Sequence, residues 1–165
     1  MIANGATTVW ERWEKVDGDG LLAAMATHCH PMNAAVGVCF HKYLAGIIPD
    51  ENKPGFENVI LRPIVPFNAQ NAGASLETVR GKIESFWEKN GNVLTWKISV
   101  PLSSSAVCYI PIKNRNAATL KIVSEKVNFS GGELYLGGDC EFIEKTSDYI
   151  AVKIPNGKYE YRISD

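Results

Sequence analysis

No stretch of the 165-residue chain approaches the roughly 20 consecutive apolar residues that a bilayer-spanning helix needs. The opening MIANGATTVWERW also lacks the charged-then-apolar order of a secretory signal. A soluble chain with no membrane partner is the expectation. Runs of like charge are missing too: 17 basic and 18 acidic residues give a formal net charge of −1. The electrostatic footprint required by a nucleic acid or an anionic surface is therefore absent, and no nucleic-acid partner is expected. Cysteine is scarce, and Cys29, Cys39, Cys108 and Cys140 contain no C-x-x-C pair. Their irregular spacing argues against a disulfide scaffold and reads as free thiols. No glycine-rich phosphate loop occurs. The DGDG of residues 17–20 lacks the third acidic ligand and the distal glutamate of a calcium loop, which leaves it a turn.

What is present divides into two parts. All three histidines, all three methionines and two of the four cysteines fall in the first 50 residues. In PMNAAVGVCFHKYLAGIIP, Met32, Ala35, Val36, Cys39, Phe40, Tyr43, Leu44 and Ile47 recur at three- and four-residue steps, which predicts one helix with an apolar stripe. Pro31 suits its first turn, and Gly46 and Pro49 supply its stop. Residues 8–15 read as the start of another helix. After the polar segment PDENKPGF (residues 49–56), read as a linker, short alternating runs take over. In VLTWKISV, Leu94, Trp96, Ile98 and Val100 face one way and Thr95, Lys97 and Ser99 the other. The Asn90-Gly91 pair before it signals a hairpin. SAVCYIPI, ATLKIVS, GELYL, YIAVKI and KYEYRI continue the theme, so the fold class predicted is mainly β, an antiparallel sandwich behind a short helical N-terminal segment. The boundary is placed between residues 1–50 and 51–165. A helical piece this small leaves apolar faces without partners, and self-association through them is expected.

Three groups of residues carry chemistry. Thr8-Val9-Trp10-Glu11 fits the S/T-x-x-E capping box. The alternative reading takes Trp10 and Trp13 as apolar planes for a sugar ring, with Glu11 as an acid or base at the scissile bond. His28, Cys29 and His30 invite a metal reading. Cys39 and His41, however, lie about 200° apart around a helix and cannot converge on one ion, so no metal and no cofactor is expected. Trp87, Trp96 and Tyr109 suit either a carbohydrate platform on the sandwich or its core, and their strand periodicity favours the core.

Taken in order, GATTVWERWE (residues 5–14), HPMNAAVGVCFHKYLAGI (residues 30–47) and PGFENVILRPIV (residues 54–65) resemble the C-terminal end of bacterial α-L-rhamnosidases of glycoside hydrolase family 78. GKIESFW, VPLSSSAVCYIP and the late NGKYEYRI are similar to that family's C-terminal sandwich. The resemblance implies a catalytic toroid of paired helices, of which residues 1–50 would hold the last two or three, and an accessory β-sandwich. It also implies an inverting cleavage of terminal α-L-rhamnose by two carboxylic acids, and hence a rhamnose-containing carbohydrate as partner. Glu11 would be the general base, Trp10 and Trp13 would shape the site, and His30 would contact a sugar hydroxyl. Cys29 stands where the family commonly has asparagine, and Asn33-Ala34 replace a more usual apolar-glycine pair. The general acid would lie ahead of Met1, so the chain alone would not turn over substrate. A free-standing carbohydrate-binding or assembly module is the other expectation.

Overall fold

The computed structural model describes residues 2–12, 27–116 and 118–165. They fall into two compact units, residues 1–39 and 40–165. In the first unit, a 3₁₀ turn over Ile2–Asn4 precedes two helical pieces, α1 (Pro31–Ala34) and α2 (Val36–Cys39). Pro31 takes the first-turn position expected of it. The continuous helix predicted across residues 31–47 is nevertheless broken at Ala35. Gly37 and the β-branched Val36 and Val38 weaken it, and single turns are marginal without packing. Its apolar residues Met32, Val36 and Val38 are exposed. Residues 8–12 are not helical. The side chains that would cap them, those of Thr8 and Glu11, bond instead to the backbone of His28 and Thr27. Residues 13–15 and the DGDG turn lie outside the described residues.

The second unit opens with a π-helical turn, Phe40–Leu44, closed by the Ala45 N–H donating to the Phe40 carbonyl at 2.9 Å. Gly46 then turns the chain with φ 75°, and a Cβ there would sit 2.2 Å from the Pro63 nitrogen and 2.3 Å from the Arg62 carbonyl carbon. Only glycine fits. Ile47 consequently starts a strand and does not extend the helical stripe. The strands are β1 (Ile47–Pro49), β2 (Asn58–Leu61), β3 (Asn71–Thr78), β4 (Gly81–Asn90), β5 (Val93–Val100) and β6 (Ser105–Pro111). They continue as β7 (Lys121–Val123), β8 (Val127–Ser130), β9 (Glu133–Leu136), β10 (Glu141–Lys145), β11 (Tyr149–Ile154) and β12 (Gly157–Ser164).

Two sheets result, one ordered β1-β2-β6-β11-β10 and the other β3-β4-β5-β12-β7-β8-β9. The mainly β sandwich expected from the sequence is therefore present. One pair, β2 with β6, is parallel, so the antiparallel expectation is corrected there. The chain crosses to the other sheet for β3–β5 between those two strands, and such an excursion allows parallel re-entry. The segment read as a linker is the loop of a hairpin, because Ile47 pairs with Leu61 and Pro49 with Val59. The β4–β5 hairpin forms where Asn90-Gly91 signalled it. Its two central residues are Gly91 and Asn92, with Gly91 at φ 60°, since Asn90 already pairs with Val93.

The inward faces alternate as VLTWKISV predicts: Leu94, Trp96, Ile98 and Val100 are buried. Trp87 and Trp96 stand directly opposite each other and are both fully buried. A buried indole needs an acceptor for its N–H. Trp87 Nε1 donates to the Leu44 carbonyl at 2.8 Å, and Trp96 Nε1 donates to Ser85 Oγ at 3.0 Å. Ser85 Oγ in turn donates to the Ala45 carbonyl at 2.5 Å. From the five-stranded sheet, Val59, Leu61, Ala106, Cys108, Ile110, Ile150, Val152 and Ile154 close the core. All four cysteines are free. Among the described residues no helix is long and apolar enough to cross a membrane.

Ser85→Ala leaves the Trp96 N–H and the Ala45 carbonyl unsatisfied inside the core, so it should lower unfolding stability by about 2–4 kcal/mol, measured by urea denaturation. A second expectation concerns alkali. Burial, with the Cys140 and Cys108 thiols nearby, pushes the Tyr159 hydroxyl from its ordinary 10.0 up to about 12. Burial raises Tyr161 and Cys108 as well. The folded state thus keeps protons that the unfolded chain releases. The contribution of Tyr159 is fully present below 10.0 and is lost toward about 12, and that of Cys108 begins to be lost from its ordinary 9.0. Denaturation midpoints across that range should fall, and tyrosinate absorbance should rise together with unfolding.

Candidate active-site segment

The first unit brings two distant stretches side by side. The Glu11 N–H donates to the Thr27 carbonyl at 2.9 Å, and the His30 N–H donates to the Val9 carbonyl at 2.7 Å. Thr8 Oγ1 donates to the His28 carbonyl. The Thr27 N–H returns a bond to Glu11 Oε2 at 2.9 Å, which fixes the carboxylate against the backbone that carries His30. His30 Nδ1 lies 3.0 Å from Thr27 Oγ1 and 3.9 Å from Glu11 Oε2. The sequence-predicted pair Glu11 and His30 therefore share one partly exposed site. Thr27 stands between them.

Trp10 departs from the expected sugar wall. Its ring stacks on His28 with centroids 4.5 Å apart and planes inclined by 24°, and the residue is buried. Trp13 lies outside the described residues. His28, for which a metal reading was weighed and set aside, covers an indole. Asn33, a departure from the family pattern, serves the backbone of the Trp10-Glu11 dipeptide. Its Nδ2 donates to the Trp10 carbonyl at 3.1 Å and to the Glu11 carbonyl at 3.2 Å, and the two bonds hold that backbone from below.

Sequence reasoning missed Thr27 and noted Asn33 only as a departure from the family pattern, without a role. Asn33 was discoverable only as an odd polar residue at the start of an apolar helical pattern, and Thr27 carried no signal. Chemically, the arrangement is one carboxylate with a fixed orientation and one imidazole beside it. That suits a proton acceptor with a hydroxyl-binding neighbour, and it is one half of what a two-carboxylate hydrolysis needs.

The sandwich offers no stacked tryptophan platform. Trp87 and Trp96 are core residues, while Tyr109 and Tyr149 meet edge to face with the Arg62 guanidinium 5.0 and 4.9 Å from their ring centres.

Known proteins resemble this chain in sequence and fold. Residues 46–125 match the family described as Bacterial alpha-L-rhamnosidase C-terminal domain. An alpha-L-rhamnosidase of Formosa agariphila is 28% identical over 164 residues, covering 98% of this chain and 16% of that protein. The structure of an alpha-L-rhamnosidase from Dictyoglumus thermophilum superposes with a TM-score of 0.73 at 29% identity, covering 100% of this chain and 17% of the other. The Streptomyces avermitilis alpha-L-rhamnosidase, solved in complex with L-rhamnose, shares the fold with a TM-score of 0.71 at 21% identity over 98% of this chain and 14% of its own. The chain thus spans about a sixth of the length of these relatives. Over 98% of its length it resembles the C-terminal part of an α-L-rhamnosidase, and residues 46–125 are similar to the family of the bacterial α-L-rhamnosidase C-terminal domain.

Proposed function

We propose that this chain is the C-terminal part of an inverting α-L-rhamnosidase that removes terminal α-L-rhamnose from glycans or glycosides. Glu11 is the general base that draws a proton from the attacking water. His30 contacts a sugar hydroxyl, Trp13 borders the sugar, and Trp10, stacked on His28, supports the segment from behind. The observation that carries this reading is the carboxylate of Glu11, oriented by the Thr27 N–H and set 3.9 Å from His30 Nδ1, in a segment alignable with rhamnosidases across 98% of the chain.

Inversion needs a second carboxyl group about 6.5–9.5 Å away, to protonate the leaving oxygen while the base activates water on the opposite face of the sugar. In this reading the acid comes from a helical catalytic domain elsewhere in the parent polypeptide. The residues ahead of the sandwich are the last helices of that domain, and the exposed Met32, Val36 and Val38 are faces that it covers. In the isolated chain the same side chains are open to a second copy.

Three measurements test the assignment. The 165-residue chain should show no turnover of an aryl α-L-rhamnoside. In the parent, Glu11→Gln should lower kcat by about 10³-fold or more with little change in KM, because a lost general base is felt in the transition state. Normal turnover after that change overturns the role of Glu11. Asn33→Ala in the parent, which removes both bonds beneath the Trp10-Glu11 backbone, should lower kcat by a smaller factor, about 10–100-fold.

A further inference from the structure

The seven-stranded sheet carries a feature that the proposed function does not use. On its outward side, across the adjacent strands β3, β4, β5 and β12, lies a groove of ≈ 770 Å³. The strand register arranges its floor in two cross-strand rows. One row is Ser75, Glu84, Ser99 and Lys158, each paired with the next. In the second, Gly73 faces Phe86, Phe86 faces Lys97, and Lys97 faces Glu160. Hydroxyl, carboxylate and ammonium groups therefore alternate along a line that crosses the strands, with one exposed aromatic ring at its β3–β4 end.

The glycine opposite, Gly73, leaves Phe86 the room to lie over β3. A Cβ on Gly73 would stand 2.6 Å from Phe86 Cδ2 and 3.0 Å from its Cα, so the ring occupies the space that any other side chain would need. An aromatic ring fixed over a strand and 40% exposed gives the C–H face of a sugar a plane to stack on without first ordering it. The charges around it are largely balanced. Glu84 pairs with Lys82 at 2.7 Å, and Glu160 pairs with Arg162 at 2.8 Å and with Lys97 at 3.9 Å.

Balanced charge decides between ligand classes. A polyanion would gain from Lys97 and Lys158 but would meet Glu84, Glu125 and Glu160 lining the same groove. An uncharged polyol loses nothing of this kind. Each hydroxyl both donates and accepts, so carboxylates and ammonium groups set side by side can each take one member of a diol. Strand spacing also fits, since adjacent strands lie about 4.8 Å apart, close to the span of one pyranose ring. A glycan laid across the strands would present roughly one ring to each.

We propose that this groove binds an uncharged oligosaccharide chain lying across β3, β4, β5 and β12, with Phe86 as the stacking face and Lys97 and Glu160 as hydroxyl partners. The site does not depend on Glu11. Native electrophoresis of the 165-residue chain through gels containing soluble arabinogalactan, galactan or xylan tests it, with polygalacturonate as the charged comparison. At least one neutral polysaccharide should retard the chain. Phe86→Ala and Lys97→Ala should each weaken that retardation by roughly tenfold in affinity, and Glu11→Gln should leave it unchanged. Unchanged thermal melts confirm that the variants fold, and the exposed Lys97→Ala keeps the test decisive if Phe86→Ala does not. The proposal is overturned if none of the three neutral polymers retards the chain, if both variants are retarded as strongly as the unchanged chain, or if polygalacturonate alone retards it. None of those results bears on the turnover lost in the Glu11→Gln parent, so the two readings fail separately.

Discussion

The hydrogen bonds from Trp87 and Ser85 to the carbonyls of Leu44 and Ala45 determine where the chain enters the sandwich, and much of the second unit follows from that entry point. Those carbonyls belong to the last turn before Gly46, where a π-helical turn leaves acceptors that the local backbone does not use. One indole, Trp87, and Ser85 beside it on β4 of the seven-stranded sheet supply the donors, at a depth where an unpaired polar group is costly. With Leu44 and Ala45 held, Gly46 can only fold back against Arg62 and Pro63, which sets β1 beside β2. One polar cluster thus links the two sheets at their shared edge. The surrounding core is apolar and tolerates exchange of similar shapes, whereas this cluster has a single arrangement that satisfies every partner.

The same logic of backbone acceptors and side-chain donors organises the described residues of the first unit, among which only Trp10 is a buried apolar side chain. Residues 8–11 and 27–30 are joined by paired amide bonds, and Thr8, Thr27 and Asn33 add side-chain bonds that rigid secondary structure would otherwise supply. A carboxylate placed this way has a defined direction even though it lies outside any helix or strand. Catalytic groups on irregular backbone are common for this reason: the loop presents the group, and its hydrogen bonds provide the precision.

Sequence patterning exposed the elements whose burial alternates and concealed those whose stability comes from neighbours. β4, β5, β6, β11 and β12 were legible because apolar residues recur at alternate positions along most of each strand. β3, written NAGASLET, has small residues on both faces and is a strand chiefly because β4 offers eight paired positions beside it. β10, EFIEK, is exposed throughout and reads as a charged edge. The helical prediction for residues 8–12 failed on chemistry, since threonine and glutamate cap any exposed amide that geometry offers, and here the nearer amides and carbonyls belong to residues 27 and 28. Periodicity over residues 31–47 reported the apolar stripe correctly but not its continuity. Ordered motifs singled out Glu11 and His30 as candidates, while the bonds that Thr27 and Asn33 make to the backbone around them are not displayed by sequence.

Strand β12 sits between β5 and β7, in the interior of the seven-stranded sheet, although it follows every other strand in sequence order. During synthesis β3, β4 and β5 can pair as soon as they emerge, because their hairpins are local. Their sheet has no neighbour on the far side of β5 until residues 157–164 arrive, more than 50 positions later. Until then the inward faces of Trp96, Ile98 and Val100 have no lateral cover, and β5 presents an open edge to any other strand within reach. Assembly of the sandwich is therefore timed by β12. A chain that ends before residue 157 has the β3–β5 and β7–β9 parts of the seven-stranded sheet but lacks the strand that joins them.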